Sequence, residues 1–136
     1  MIRCLALVLA LAACSSATST IAYPDNSQLP PESFIDIGKA ITSLHAGDAA
    51  RIDIRKDTRG HVLLRWSQIV TPTIAQNDVS PGRMVYEITA TYTHPFRTGP
   101  NRYRSGQRTT VVDAQTGRWI CILARGNLAT GAMRPL

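Results

Sequence analysis

A strict alternation of side chains in residues 84–93, MVYEITATYT, constrains the fold of this 136-residue chain more than any other feature. Met84, Tyr86, Ile88, Ala90 and Tyr92 share one side of an extended segment, and mainly threonine and glutamate occupy the other side. Because successive side chains of a β-strand point to opposite faces of the sheet, one face of this strand is predicted to meet a core and the other to meet water. The pattern predicts a long strand in an antiparallel sheet.

Four further segments have strand-like patterns. Residues 50–55, ARIDIR, alternate in polarity, and a turn at 56–60 leads into residues 61–70, HVLLRWSQIV, so these two segments are predicted to form an antiparallel hairpin. Residues 107–114 are predicted to form the next strand. A predicted tight turn separates it from residues 118–125, RWICILAR, which are apolar on both faces and therefore favour a central position. The order predicts an antiparallel meander.

A helix is predicted before the first strand. Ser33 and Asp36 have the spacing of a capping box, and Gly47 stands where a C-terminal cap is expected. The apolar stripe between them comprises Phe34, Ile37, Ile41 and Leu44. The predicted fold class is therefore α+β, with one N-terminal helix packed on a curled antiparallel sheet of about five strands.

The N-terminus has the features of an export signal. Arg3 is followed by an apolar run over residues 5–13 that is too short to span a bilayer. The run ends in Leu11-Ala12-Ala13-Cys14, which resembles the lipobox of bacterial lipoproteins. The resemblance covers only the first 14 residues, and it implies that residues 1–13 are a signal peptide and that Cys14 carries the lipid anchor. Ser15 follows the cysteine instead of aspartate, which in that family favours transport to the outer membrane, with the protein facing the periplasm.

An alternative remains open, because small residues near positions 20–22 also suit an ordinary secretory cleavage site, which would leave a soluble periplasmic protein. Residues 14–31 are rich in serine, threonine and proline and are predicted to be a lipidated, flexible tether. The remaining residues, 32–136, are predicted to form a single α+β domain.

Cysteine usage fits an exported protein that holds its core without disulfides. Cys4 leaves with the signal and Cys14 is modified, so only Cys121 remains, in an apolar run where burial is expected. The histidines at positions 45, 61 and 94 share no catalytic or metal-binding motif, and the acids are scattered. We therefore predict that the protein is not an enzyme and has no metal or cofactor.

A basic segment is the predicted contact surface. The chain has 15 Lys and Arg against 9 Asp and Glu. Residues 94–108, HPFRTGPNRYRSGQR, contain four arginines, two aromatic residues and no acid, and are predicted to connect two strands. Export argues against nucleic acid as the partner and favours lipid phosphates, the cell wall or an acidic protein surface of the envelope. The candidate partner-binding residues are Phe96, Arg97, Arg102, Tyr103, Arg104 and Arg108.

Three functions agree with these observations. The first is a non-catalytic accessory subunit of an envelope complex of the secretion, conjugation or pilus type. The second is an immunity or inhibitor lipoprotein that neutralises a toxic envelope hydrolase. The third is direct binding of anionic lipid or cell wall by the arginines.

Overall fold

The computed structural model describes residues 22–69 and 78–129. Its single α-helix within these residues is α1 (Ile37–Ser43), and short 3-10 helices lie at Pro31–Ser33 and Trp66–Gln68. The strands are β1 (Arg51–Ile54), β2 (Leu64–Arg65), β3 (Met84–Tyr92), β4 (Phe96–Thr98), β5 (Asn101–Asp113) and β6 (Trp119–Leu128). The signal peptide and lipidation site predicted at residues 1–14, and the end of the chain from residue 130, lie outside the described residues.

The described strands form one antiparallel sheet built around β3 and β5. β3 and β4 lie end to end along one edge of β5, and β6 pairs along its other edge. β1 and β2 both pair with the free edge of β3. A helix on an antiparallel sheet is confirmed, but the sheet contains six strands instead of about five. The curl of the sheet stays a prediction.

The alternation in β3 has the predicted structural role. Tyr86, Ile88, Ala90 and Tyr92 are buried in the main core, where α1 packs through Ala40 and the predicted apolar stripe. The opposite face is not entirely wet, because a second, smaller cluster covers one end of it. This cluster comprises Leu64, Ile69, Val85, Val111 and Cys121. The predicted burial of the lone cysteine is thus confirmed.

The predicted hairpin between residues 50–55 and 61–70 is wrong. β1 and β2 do not pair with each other, because both extend along the same edge of β3. The chain between them turns around Asp57, whose carboxylate accepts hydrogen bonds from the backbone N–H groups of Arg59 and His61, each at 2.9 Å. Alternation determines which face of a strand is buried, but it does not determine the partner strand.

The helix ends also differ from the prediction. Residues 31–33 form a 3-10 helix, and the cap of α1 is Asp36, not Ser33; the Asp36 side chain accepts a backbone N–H two residues further on at 2.7 Å. After the helix, His45 takes the left-handed conformation with φ 48, where Gly47 had been expected. The helix begins after this aspartate, because the carboxylate accepts a hydrogen bond from a backbone N–H of the first turn that has no partner within the helix.

The segment before the helix belongs to the folded domain. Tyr23 forms a parallel bridge with Val79, and its N–H donates to the carbonyl of Asp78 at 2.8 Å. The buried Asn26 accepts the N–H of Met84 at 2.7 Å. Tyr23 and Asn26, which composition assigned to the flexible tether, are therefore attached to the sheet, because an absence of periodicity does not prevent tertiary hydrogen bonds.

A buried ion pair attaches this segment to the sheet. Arg83 is 4% exposed and Asp113 is fully buried. The guanidinium donates to both carboxylate oxygens of Asp113, at 2.7 and 2.8 Å, and to the carbonyl of Pro24 at 3.1 Å. Burial raises the pKa of Asp113, but hydrogen bonds from Arg83 and Thr116 outweigh it and leave the pKa below its usual value.

No helix within the described residues has both the length and the apolar character needed to cross a bilayer.

Candidate functional site

The basic segment is a β-hairpin instead of an irregular connection. Phe96, Arg97 and Thr98 of β4 pair with Tyr103, Arg102 and Asn101 of β5, respectively. Gly99 has a left-handed φ of 55, which suits the first central residue of a two-residue hairpin turn. The Gly99-Pro100 pair marks this turn in the sequence. The apolar residues on either side are too closely spaced to show the alternation by which a strand is recognised.

The two aromatic residues of the segment form part of the core. Phe96 and Tyr103 are both buried, and their rings stack with centroids 5.1 Å apart. Phe96 also stacks on Tyr92 of β3 at 4.5 Å. Burial leaves little of either ring exposed, and the stacking holds the hairpin against the sheet. The part of Phe96 and Tyr103 in partner binding stays a prediction.

The arginines of the segment take different positions. Arg97 and Arg102 are exposed and lie directly opposite each other in the hairpin. Arg104 is also exposed, whereas Arg108 is partly buried. The Arg108 guanidinium lies 5.5 Å from the centroid of the Tyr92 ring, and donates to the carbonyl of Leu44 at the end of α1 at 2.9 Å.

Arg97, Arg102 and Arg108 come together in a cleft of about 440 Å³ between the hairpin and the end of α1. The other lining residues are His45, Asp48, Tyr92, Pro95 and Phe96. Sequence reasoning had identified four members of this cleft, and it missed those contributed by the helix end. No local pattern links the helix end to the hairpin, because only the folding of the sheet brings them together.

One carboxylate accompanies the three cleft arginines. Asp48 Oδ2 lies 3.1 Å from His94 Nε2. This hydrogen bond lowers the pKa of Asp48 below its usual value, and the charge of Arg108 acts in the same direction. Within residues 22–69 and 78–129, no carboxylate lies within ion-pair distance of Arg97 or Arg102. The cleft thus has an excess of positive charge.

Two further observations concern metal-ligating and nucleophilic side chains in the described part of the chain. No three side chains of His, Cys, Asp or Glu are grouped there as a metal site would require. Cys121 is buried, and burial raises the pKa of its thiol, so the reactive thiolate is disfavoured.

Comparison with known protein families, with curated proteins and with solved structures finds no match to this chain. The geometry of the hairpin and its cleft is accordingly the basis for a functional proposal.

Proposed function

We propose that the protein is a non-catalytic lipoprotein, anchored to the outer membrane through Cys14 and facing the periplasm. There it acts as a binding or accessory subunit of an envelope complex of the secretion, conjugation or pilus type. The lipobox-like sequence at residues 11–14 supports the anchor and the compartment. The exposed arginine pair of the β4–β5 hairpin supports the binding role and an acidic protein surface as the partner.

The arginine pair carries this proposal. Like charges directly opposite each other on neighbouring strands destabilise a sheet, yet Arg97 and Arg102 are cross-strand partners. The repulsion is reduced when a carboxylate of a partner approaches both guanidinium groups. Buried aromatic rings hold the hairpin in place, so little conformational freedom is lost when a partner binds.

Charge reversal on the hairpin tests the proposal. The full-length protein is recovered from membranes solubilised with a mild detergent, and its partners are compared for wild type, Arg102→Glu and Arg118→Glu. Arg118 is a matched control, because it is exposed and follows β5 at the end remote from the hairpin turn. We expect a defined complex with wild type and the control, and its loss with Arg102→Glu.

The identity of the captured partner separates the accessory role from the immunity role. Subunits of an envelope machine support the accessory role, and a single hydrolase whose activity is inhibited supports the immunity role instead. Recovery of the lipoprotein alone from wild-type membranes would contradict both. Equal capture by the two variants would remove the hairpin arginines from the interface.

A further inference from the structure

The cleft beside the hairpin has the arrangement of a binding site for a small anion. Its three guanidinium groups come from β4, from the start of β5 and from the middle of β5. Arg108 is held from two directions, by the carbonyl of Leu44 and by the ring of Tyr92. A charged group that is already positioned loses little conformational entropy when it binds a ligand.

The charge of the cleft indicates the class of anion. Three arginines and one carboxylate, that of Asp48, line the cleft, so these four groups have an excess of two positive charges. A phosphomonoester carries about 1.5 to 2 negative charges near neutral pH, whereas a single carboxylate carries one. Its three terminal oxygens also offer acceptors to several guanidinium groups at once, which suits arginine.

The size of the cleft indicates that the phosphate belongs to a larger molecule. Its volume of about 440 Å³ falls within the range typical of small-molecule sites. Tyr92, Pro95 and Phe96 provide apolar lining next to the arginines. We propose that the cleft formed by Arg97, Arg102 and Arg108 binds the phosphomonoester group of a soluble metabolite or of a lipid headgroup.

This site shares Arg97 and Arg102 with the proposed partner surface. It concerns a small ligand and is tested on the purified protein without a partner, so its failure is distinguishable from failure of the proposed function. Calorimetric titration of the full-length protein in non-ionic detergent compares phenyl phosphate with benzoate, which has the same ring and a carboxylate. Inorganic phosphate serves as the probe without a ring. We expect phenyl phosphate to bind more tightly than either inorganic phosphate or benzoate.

Neutral substitutions test which arginines bind the phosphate. Arg97→Gln and Arg102→Gln are each expected to weaken phenyl phosphate binding by about tenfold or more, because each removes a charge-assisted hydrogen bond to the phosphate. Arg118→Gln, which removes the same charge outside the cleft, should change affinity less than about twofold, because exposed charges far from a ligand are screened by salt. Circular dichroism of each variant checks that the fold is retained.

Vesicles distinguish the two sources of the phosphate. The full-length Cys14→Ser protein, which lacks the acylation site, is sedimented with phosphatidylcholine vesicles containing either phosphatidic acid, a phosphomonoester, or phosphatidylglycerol, a phosphodiester. Preference for phosphatidic acid, with release by phenyl phosphate, identifies a lipid headgroup. Binding of phenyl phosphate without vesicle binding identifies a soluble ligand.

Three results would overturn the inference. The first is the absence of measurable binding of phenyl phosphate to the folded wild-type protein. The second is benzoate binding as tight as that of phenyl phosphate. The third is an equal loss of affinity in Arg118→Gln and in the two cleft variants.

Discussion

Replacement of Arg83 by methionine removes one partner of the buried ion pair while keeping a long side chain in its place. The guanidinium of Arg83 is almost fully buried and the carboxylate of Asp113 fully buried, and two hydrogen bonds of 2.7 and 2.8 Å join them. Arg83 also binds the carbonyl of Pro24, so the substitution removes a link between the N-terminal segment and the sheet. We expect a large loss of stability from this single change.

The magnitude follows from the burial of the charge that remains. Breaking a fully buried ion pair on one side typically costs about 3–5 kcal/mol, because the other charge is left uncompensated. Native domains have total stabilities of about 5–15 kcal/mol, so the variant is close to unfolding. At roughly 4 °C per kcal/mol for a domain of this size, the melting temperature should fall by roughly 12–20 °C.

The pH dependence gives this prediction a distinctive signature. In the wild type the pKa of Asp113 is lowered on folding, so its contribution to stability is present above the unfolded pKa of about 3.9 and is lost as the pH falls through the folded value. In Arg83→Met, burial is no longer outweighed by the guanidinium, and the pKa of Asp113 rises. Protonation of Asp113 then removes the uncompensated buried charge from the variant. The difference in stability between the two proteins should therefore shrink as the pH falls from about 7 to about 4.

Urea unfolding followed by circular dichroism at several pH values measures both effects. Arg55→Gln is the control, because Arg55 and Glu87 also pair at 2.8 Å but the arginine is 42% exposed. That exposed pair should contribute only roughly 0–1 kcal/mol. A loss for Arg83→Met no larger than for Arg55→Gln, or a stability difference that grows on acidification, would refute the reasoning.

Three other substitutions test the anchor and the local structure. Cys14→Ser should abolish incorporation of labelled palmitate; retention of the label would exclude this cysteine as the acylated residue. Asp36→Ala should destabilise the domain by about 1 kcal/mol through loss of the helix cap, whereas Ser33→Ala should have little effect in the same urea titration. Gly106→Ala should cost about 1–3 kcal/mol, because its new Cβ would lie 2.3 Å from a carbonyl oxygen of β6, while Gly47→Ala meets no atom within 4 Å and should be neutral or slightly stabilising. Equal melting temperatures for the two glycine variants would contradict the close strand contact.

Much of the local structure was predictable from residue patterns. The alternation in residues 84–92 located the central strand and its buried face, and the apolar stripe from Phe34 to Leu44 located the helix and the face that packs on the sheet. Both patterns are local, since they follow from the geometry of the chain over a few residues. The cap was misplaced by three residues, because Ser33 and Asp36 both have suitable side chains and only the observed turn at 31–33 distinguishes them.

The candidate site was predicted in part. The segment at 94–108 was identified from its charge, and three of its four arginines do line the cleft. Phe96 and Tyr103 were predicted to contact a partner and their burial was not foreseen, because composition alone does not show that residues on both sides of Gly99 pair as strands. The contributions of His45 and Asp48 depend on a contact between positions that are far apart in the chain.

By itself, the sequence determined the central strand at residues 84–92, the helix, the apolar face of each, and that the N-terminus resembles a lipoprotein signal. Tertiary structure alone decided that β1 and β2 share one edge of β3, that Arg83 meets Asp113, and that three arginines surround one cleft. The physical reason is that periodicity reflects the geometry of neighbouring residues. Strand partners, buried charges and the walls of a cleft depend instead on the packing of segments that are distant in sequence.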